Sequence, residues 1–409
     1  MPETEPSNRK RILFLHPNFP AQFKHLAKST AASGHDVRFL CQTHYNRTVP
    51  GVQRLTLKGA CGHEHLQALK VDILQRSATL SEQYRQGFVR LRDSGWQPDI
   101  VISHSGWGCG LHIREVWPKC QYFGYLEWWF DPQSDFFHYD PNNQELGLNP
   151  TRAPKFWLRN QSLSLELITA DSIISPTRWQ ASQLPRLLRE RCHIIHDGID
   201  LSQFKAKPEI RHSNPLVITY GTRGMEPMRA FPQFIRSLPS LINRHRDVTV
   251  QIAGEDSINY GGNLPEGFES WGNWAKNHLS RHGVSGRVKW LGHLEKNQYV
   301  LWLQSSNCHV YLTHPFVASW SLLEALACKC PLVVSDVKPV RELCEATKST
   351  VTYVDHRDIN KVSCAISDSL SKVIPRQSIA GRPRMELFSR ESTLQEWGHV
   401  AGLELTTNH

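Results

Sequence analysis

The sequence predicts an α/β chain built from two consecutive doubly wound halves, each a parallel sheet flanked by helices. Three observations predict it. At 409 residues the chain is too long for one ordinary core. Short β-branched or aromatic runs alternate with longer helical patterns, and that cycle occurs twice. Between the two cycles lies a polar stretch, 201–215, with Lys205, Lys207, Pro208, Ser213 and Pro215, which reads as an interdomain linker.

In the first half the strand candidates are RILFLHP (11–17), DVRFLCQ (36–42), DIVISHS (99–105), CQYFGYLEWW (120–129), DSIISP (171–176) and HIIHDGI, starting at residue 193. Helical patterns fit between them, notably at 20–33 and 64–94. The second half restarts at LVITYGT (216–222) and continues with VTVQIAG (248–254), VKWLGHL (288–294), CHVYLTHP (308–315), PLVVSD (331–336) and VTYVD (351–355). Ligands of open α/β sheets bind outside the carboxyl ends of the strands, so the residues following these runs are the ones to search. No internal repeat of roughly 20–50 residues is present, which disfavours solenoids and propellers.

Composition narrows the function classes. Forty per cent hydrophobic and 21% charged residues are ordinary for a globular protein. No run approaches the roughly 20 apolar residues of a membrane-spanning helix, and the polar start MPETEPSNRK is unlike a signal peptide, so a cytoplasmic protein is expected. Ten scattered cysteines without a paired CxxC support neither a zinc site nor a disulfide framework. The net charge of +9 favours anionic partners such as nucleotide phosphates, a bilayer surface or nucleic acid. The absence of a like-charge run argues against a nucleic-acid tail.

The most informative segment is THPFVASWSLLEALACKCPLVVSD, 313–336. A strand ends, a loop follows, and Ser319 is placed to cap a helix. Backbone N–H groups near Ser319, Trp320 and Ser321 would then form an anion site suited to a diphosphate. Glu324, one turn in, is placed to accept from ribose hydroxyls. This segment resembles the donor-binding signature of family 4 retaining glycosyltransferases (group 1), in which an acidic residue, seven residues and a second Glu precede an LEAxAxGxPVVxSD pattern. Glu324 matches the second Glu. Phe316 stands where the family has its first acid, a residue that contacts the transferred sugar.

A second match is GTRGMEPMRAF, 221–231. The family places an Arg here and a Lys five residues later on the donor diphosphate; this chain has Arg223 and, six residues later, Arg229. Two guanidinium groups suit phosphate oxygens and the charge on a leaving diphosphate. HDGIDLSQF (196–204) resembles the family's domain-junction segment, AGEDS (253–257) a strand end, and Gly292, His293 and Leu294 fall where the family meets the nucleobase.

In the first half, HPNFPAQF (16–23), HSGWG (104–108) and LEWWF (126–130) follow three strands. His16, Gln22 and Trp107 are assigned to the acceptor, His104 to orienting hydroxyls, and Glu127 to accepting the acceptor's proton. Trp128 and Trp129 are candidates for sugar stacking or for the core. No DxD triplet ends a strand, so no metal site is expected and the arginines would serve in a metal's place.

The resemblance implies the GT-B architecture, two Rossmann-like parallel-sheet domains facing a central cleft. It would comprise an acceptor domain at 1–200, a donor domain at 201–388, and a final helix at 389–409 returning to the first domain. The implied reaction moves a sugar from a UDP- or GDP-hexose type donor to a hydroxyl acceptor, retaining and metal-independent. No cofactor is implied beyond the nucleoside-diphosphate sugar as co-substrate. The acceptor is open among a glycan, a lipid-linked sugar, a peptide or a small molecule. Nucleic acid is not expected as a partner, and peripheral membrane contact is left open. Two other readings stand beside this one: a nucleotide-sugar epimerase of the same fold, and a non-catalytic sugar-nucleotide-binding protein.

Overall fold

A computed structural model describes residues 9–57, 73–211, 214–317, 319–371 and 384–406. The chain divides into two compact units. The first holds Met1–Pro132, Ala153–Gly198 and Arg390–His409; the second holds Gln133–Arg152 and Ile199–Ser389.

In the first unit the strands are β1 (Arg11–Leu15), β2 (Asp36–Cys41), β3 (Val52–Thr56), β4 (Ile100–His104), β5 (Gln121–Tyr125), β6 (Ser172–Ser175) and β7 (Cys192–Ile194). They are parallel neighbours in the order β3-β2-β1-β4-β5-β6-β7. The period of two sends Ile12 and Phe14 to one face and Leu13 and Leu15 to the other. Both faces are covered. Helix α1 (Lys24–Ala32) and the closing helix Arg390–Ala401 cover the first with Leu26, Leu394 and Trp397. Helix α2 (Ile73–Asp93) covers the second with Tyr84, Phe88 and Leu91. A sheet buried on both faces needs near-continuous apolar strands, which is why these strands were readable. α3 (Asn160–Thr169) lies before β6, with Leu163 and Leu167 inward.

The second unit repeats the plan with β8 (Leu216–Gly224), β9 (Val248–Glu255), β10 (Val288–Gly292), β11 (Cys308–Tyr311), β12 (Leu332–Ser335) and β13 (Thr352–Val354). Their order is β10-β9-β8-β11-β12-β13, all parallel. One face packs on α4 (Phe231–Arg244) through Phe234, Ile235 and Leu238; the other packs on α5 (Lys296–Ser305) and α6 (Trp320–Ala327) through Leu303, Leu322 and Leu323.

Each strand read from the sequence exists, most with trimmed ends, while β8 and β9 run on to Gly224 and Glu255 and β7 starts one residue earlier, at Cys192. The run at 120–129 stops as a strand at Tyr125; Leu126 and Trp129 leave the sheet to pack with Leu163 and Leu167. The helix at 20–33 begins as a tight turn, Ala21–Phe23, before α1. Of the pattern at 64–94, the described part is helical, and residues 64–72 lie outside the described residues, as does Ser213 of the linker. β3 was not anticipated, because VQRLT is polar at three of five positions and sits at the sheet edge, where only partial burial is required.

Residues 133–152 depart furthest from the sequence reading, which placed them in the first half. They pack within the second unit through Asp135 to Lys338 (2.8 Å), Glu145 to Arg236, and the Phe136 carbonyl against His314 Nε2 (2.8 Å). The cysteines described are free thiols, most of them buried. Among the described residues no helix is long and apolar enough to cross a membrane.

Candidate active site

Each sheet changes direction beside its first strand, between β1 and β4 and between β8 and β11. Loops leaving such a pair diverge to opposite faces and open a crevice at the strands' carboxyl ends. His16 follows β1 and His104 ends β4; the loop carrying Arg229 follows β8, and that of Thr313 follows β11.

In the second unit the two loops are tied together. The Tyr220 hydroxyl donates to the Arg229 carbonyl (2.7 Å), fixing the turn Pro227–Arg229, and the His314 N–H donates to the Met228 carbonyl (2.9 Å). Arg229 is buried, donates from Nη1 to Thr313 Oγ1 (2.8 Å) and lies 4.7 Å from the Tyr260 ring centroid. Thr313 is itself held, its N–H donating to Ser335 Oγ (2.9 Å), which pairs with His356 Nδ1 (2.9 Å). Arg223 differs in kind: it is exposed, on the irregular end of β8 where the register with β9 shifts between Gly221 and Gly224. One guanidinium is therefore preorganised and the other is free to reach.

Beside Arg229, Glu226 is buried and gathers three backbone N–H groups on Oε2: Asn259 (2.7 Å), Tyr260 (2.7 Å) and Gly261 (3.2 Å). Burial raises its carboxyl above the usual range, against the pull of those three donors. Its Oε1 is buried without a hydrogen-bond partner.

Phe316 is half-buried, 5.4 Å from the Phe136 ring and 6.0 Å from Tyr260, so an aromatic wall stands at this position. Ser319 caps α6, as its residue type suggested. The N–H of Ser321 is not open to a ligand, however, since it donates to Ser319 Oγ (3.3 Å). Trp320 is 44% exposed. Glu324 accepts from the Tyr299 hydroxyl (3.0 Å), which orients its carboxylate. Gly292 ends β10 at a φ of 62°, with His293 exposed beside it and Leu294 against the apolar cluster beneath.

In the first unit His16, Gln22, His104, Trp107 and Glu127 come together. The indole N–H of Trp107 can only donate, so His104 Nδ1 (3.0 Å away) is an acceptor and the imidazole carries its proton on Nε2. That nitrogen faces Glu127 Oε2 at 3.2 Å and the Gln22 amide at 3.3 Å. Glu127 is 40% exposed while His104 is 3% exposed, an arrangement in which a fixed imidazole orients a carboxylate open to an incoming hydroxyl. His16 packs edge-on to His104, with ring centroids 4.8 Å apart. Burial holds its imidazole well below the usual range, so it is neutral. Trp128 and Trp129 are both buried and belong to the core.

The loop carrying Trp107 is clamped from behind. Glu166, on α3, accepts from Gly106 (3.1 Å) and Gly108 (2.8 Å) on Oε1 and from Gly110 (3.2 Å) on Oε2. Gly108 needs to be glycine, because its φ is 88° and a Cβ there would lie 2.3 Å from the Ser77 carbonyl. Among the described residues no group of three or more His, Cys, Asp or Glu side chains could hold a metal ion.

Two family models match in tandem: one described as Glycosyl transferase family 4 group over residues 33–204, and one described as Glycosyl transferases group 1 over residues 202–380. The chain belongs to the family 4, group 1 glycosyltransferases. This glycosyltransferase is 22% identical over 382 residues to the glycogen synthase of Mycobacterium tuberculosis, covering 89% of this chain and 85% of that one. Its fold is GT-B, like that of sucrose-phosphate synthase from Thermosynechococcus elongatus (TM-score 0.68, 16% identity, 96% and 98% of the two chains). Anabaena HepE in complex with UDP-glucose has the same fold (TM-score 0.63, 15% identity, 96% and 100%).

Sequence reasoning missed Glu166, Glu226, Tyr260 and Thr313 of this transferase. The alternation of Gly106, Gly108 and Gly110 hinted at a backbone approached closely by something. Nothing local pointed to a carboxylate 56 residues away from Gly110.

Proposed function

We propose that this glycosyltransferase moves a hexosyl group from a UDP- or GDP-sugar to a hydroxyl acceptor, with retention at the anomeric carbon and without a metal ion. The observation that carries the reading is Arg229, a buried guanidinium fixed by Thr313 and Tyr260 where the loops after β8 and β11 meet. A preorganised cation at such a switch point opposes the charge of a departing nucleoside diphosphate. Arg223 adds a second, mobile cation, Glu324 the ribose contact, and Gly292 to Leu294 the base contact. The second unit is thereby the donor unit. The first is the acceptor unit, where Glu127 takes the acceptor's proton and His104 orients it. Between the two bases, the likeness to HepE, a protein seen in complex with UDP-glucose, favours uridine. Work on such donors belongs in the cytoplasm.

A thermal-shift screen of nucleoside-diphosphate sugars, followed by product analysis by NMR in EDTA, tests this. A ligand that binds only the folded state raises Tm. One donor class should do so, and an α-configured donor should give an α-linked product with chelator present. Activity abolished by EDTA and restored by magnesium or manganese removes the metal-free part. A sugar that changes stereochemistry without any acceptor identifies an epimerase instead, and donor binding without turnover over a broad acceptor panel identifies a binding protein.

A further inference from the structure

The chain from residue 153 to 169 runs as a short helix, Ala153–Trp157, one turn, and then α3. Its inward positions are apolar or clamped, with Ala153, Leu163, Leu167 and Glu166 all buried. Its outward positions ought then to be polar, as on any surface helix. They are not. Residues 154, 157 and 158 at the first helix and its turn, and 161, 165 and 168 along α3, are spaced by three or four within each segment apart from the adjacent 157 and 158, and four of the six are large and apolar: Trp157 (42% exposed), Leu158 (54%), Leu165 (58%) and Ile168 (60%). The neighbouring turn Arg186–Arg189 adds Leu187, 80% exposed. It is anchored beside α3, since Leu184 and Leu188 share a cluster with Leu163 and Leu167, and Arg191 donates to the carbonyls of Leu167 and Ala170.

Exposed Lys155, Arg159, Arg186 and Arg189 border these side chains, against Glu190, which already pairs with Arg186 at 2.8 Å. A second copy of the same face would set these cations against one another across a twofold axis. A surface with apolar depth and negative headgroups satisfies both the aliphatic stripe and its basic rim, with Trp157 at the level where indole rings settle.

We infer that this face of the first unit, from Lys155 to Ile168 together with the turn Arg186–Arg189, docks on an anionic lipid bilayer. The docking stands independently of which sugar is transferred, and it would bring lipid-anchored acceptors to the acceptor unit.

The test is flotation of the full chain with phosphatidylcholine vesicles, with and without phosphatidylglycerol. Binding is expected only with the anionic lipid and should fall as salt rises. The Leu165→Ser, Ile168→Ser double variant and the Lys155→Glu, Arg189→Glu double variant should each raise the lipid concentration for half-binding by about tenfold or more. Sugar-nucleotide binding by both should be unchanged, which separates failure of the docking from failure of the transferase reading. If a variant does not fold, brominated lipid quenching of the unsubstituted chain against Trp157→Phe still reads the contact, and quenching should drop in Trp157→Phe. No flotation, flotation indifferent to these substitutions, or a concentration-dependent dimer abolished by Leu165→Ser, Ile168→Ser overturns the proposal; the last would make the face a self-interface.

Discussion

Glu166 in the first unit and Glu226 in the second do the same job by different means. Each is a buried carboxylate that gathers three backbone N–H groups of a glycine-containing loop, and each loop sends an aromatic side chain onto the group assigned to chemistry. Trp107 fixes His104, and Tyr260 lies under Arg229. The difference is electrostatic. Glu226 has the Arg229 cation near it, whereas Glu166 is held as an anion chiefly by its three backbone donors. Burial pushes the Glu166 carboxyl up to about 7 despite its three donors. Burial raises both carboxyls, but the nearby cation opposes the rise in the second unit, so the same hydrogen-bond device is partly charge-balanced there and titratable near neutral pH in the first.

The largest expected effect tests the balanced side. Arg229→Ala should slow transfer by roughly 2–4 kcal/mol, the range for removing one preorganised charge-stabilising group. Arg223→Ala should also weaken diphosphate binding but leave Tm unchanged, because that side chain is exposed. Calorimetric nucleotide titration together with thermal melts distinguishes the two. Equal, negligible losses in the two variants and in their combination would sink the donor-unit assignment.

The titratable side comes next. Since the Glu166 carboxyl lies above its unfolded value of 4.5, the native state keeps that proton longer than the unfolded chain. The resulting stability is complete below 4.5 and is lost as pH rises through about 7, a change of about 3 kcal/mol at most. Glu166→Gln should remove that dependence, so urea denaturation of parent and variant should diverge between those pH values; parallel curves would show that the loop is not held by a titrating group. The buried histidines act with the opposite sign. His309 and His314 sit near 3 and 4 because burial disfavours their charge, so stability is present above 6.5 and is lost as pH falls toward those values.

The smallest effect concerns Glu324. Glu324→Gln keeps an oxygen for Tyr299 and should cost nucleoside-diphosphate binding only about 1–3 kcal/mol. It should discriminate a ribose from a 2′-deoxyribose nucleotide less well than the parent. An unchanged preference between the two nucleotides would remove Glu324 from the ribose contact.

Strands such as IVISH and LVVS were legible because a doubly covered sheet admits little but apolar residues. The edge strand VQRLT was not, since half-burial leaves no pattern. Arg223 and Arg229 were both legible as candidates, yet only the fold separates the exposed from the buried one. The glutamate clamps were illegible for a different reason: a carboxylate's value there lies in N–H groups brought to it by the sheet, at separations of 33 to 60 residues. The open N–H groups expected at Ser319 to Ser321 were reduced by the cap itself, a consequence of the residue that made the helix start readable.

The detour of residues 133–152 into the second unit carries a lesson for recombination. With that detour and the return of residues 390–409, the backbone passes between the units at four places rather than at one linker. A chimera cut only near residue 200 would separate Asp135 and Glu145 from Lys338 and Arg236, and the closing helix from Leu26. Exchange of first units among relatives therefore works only when the strip from 133 to 152 travels with the second unit and the tail from 390 onward with the first. The inheritable blocks of this enzyme are discontinuous in sequence.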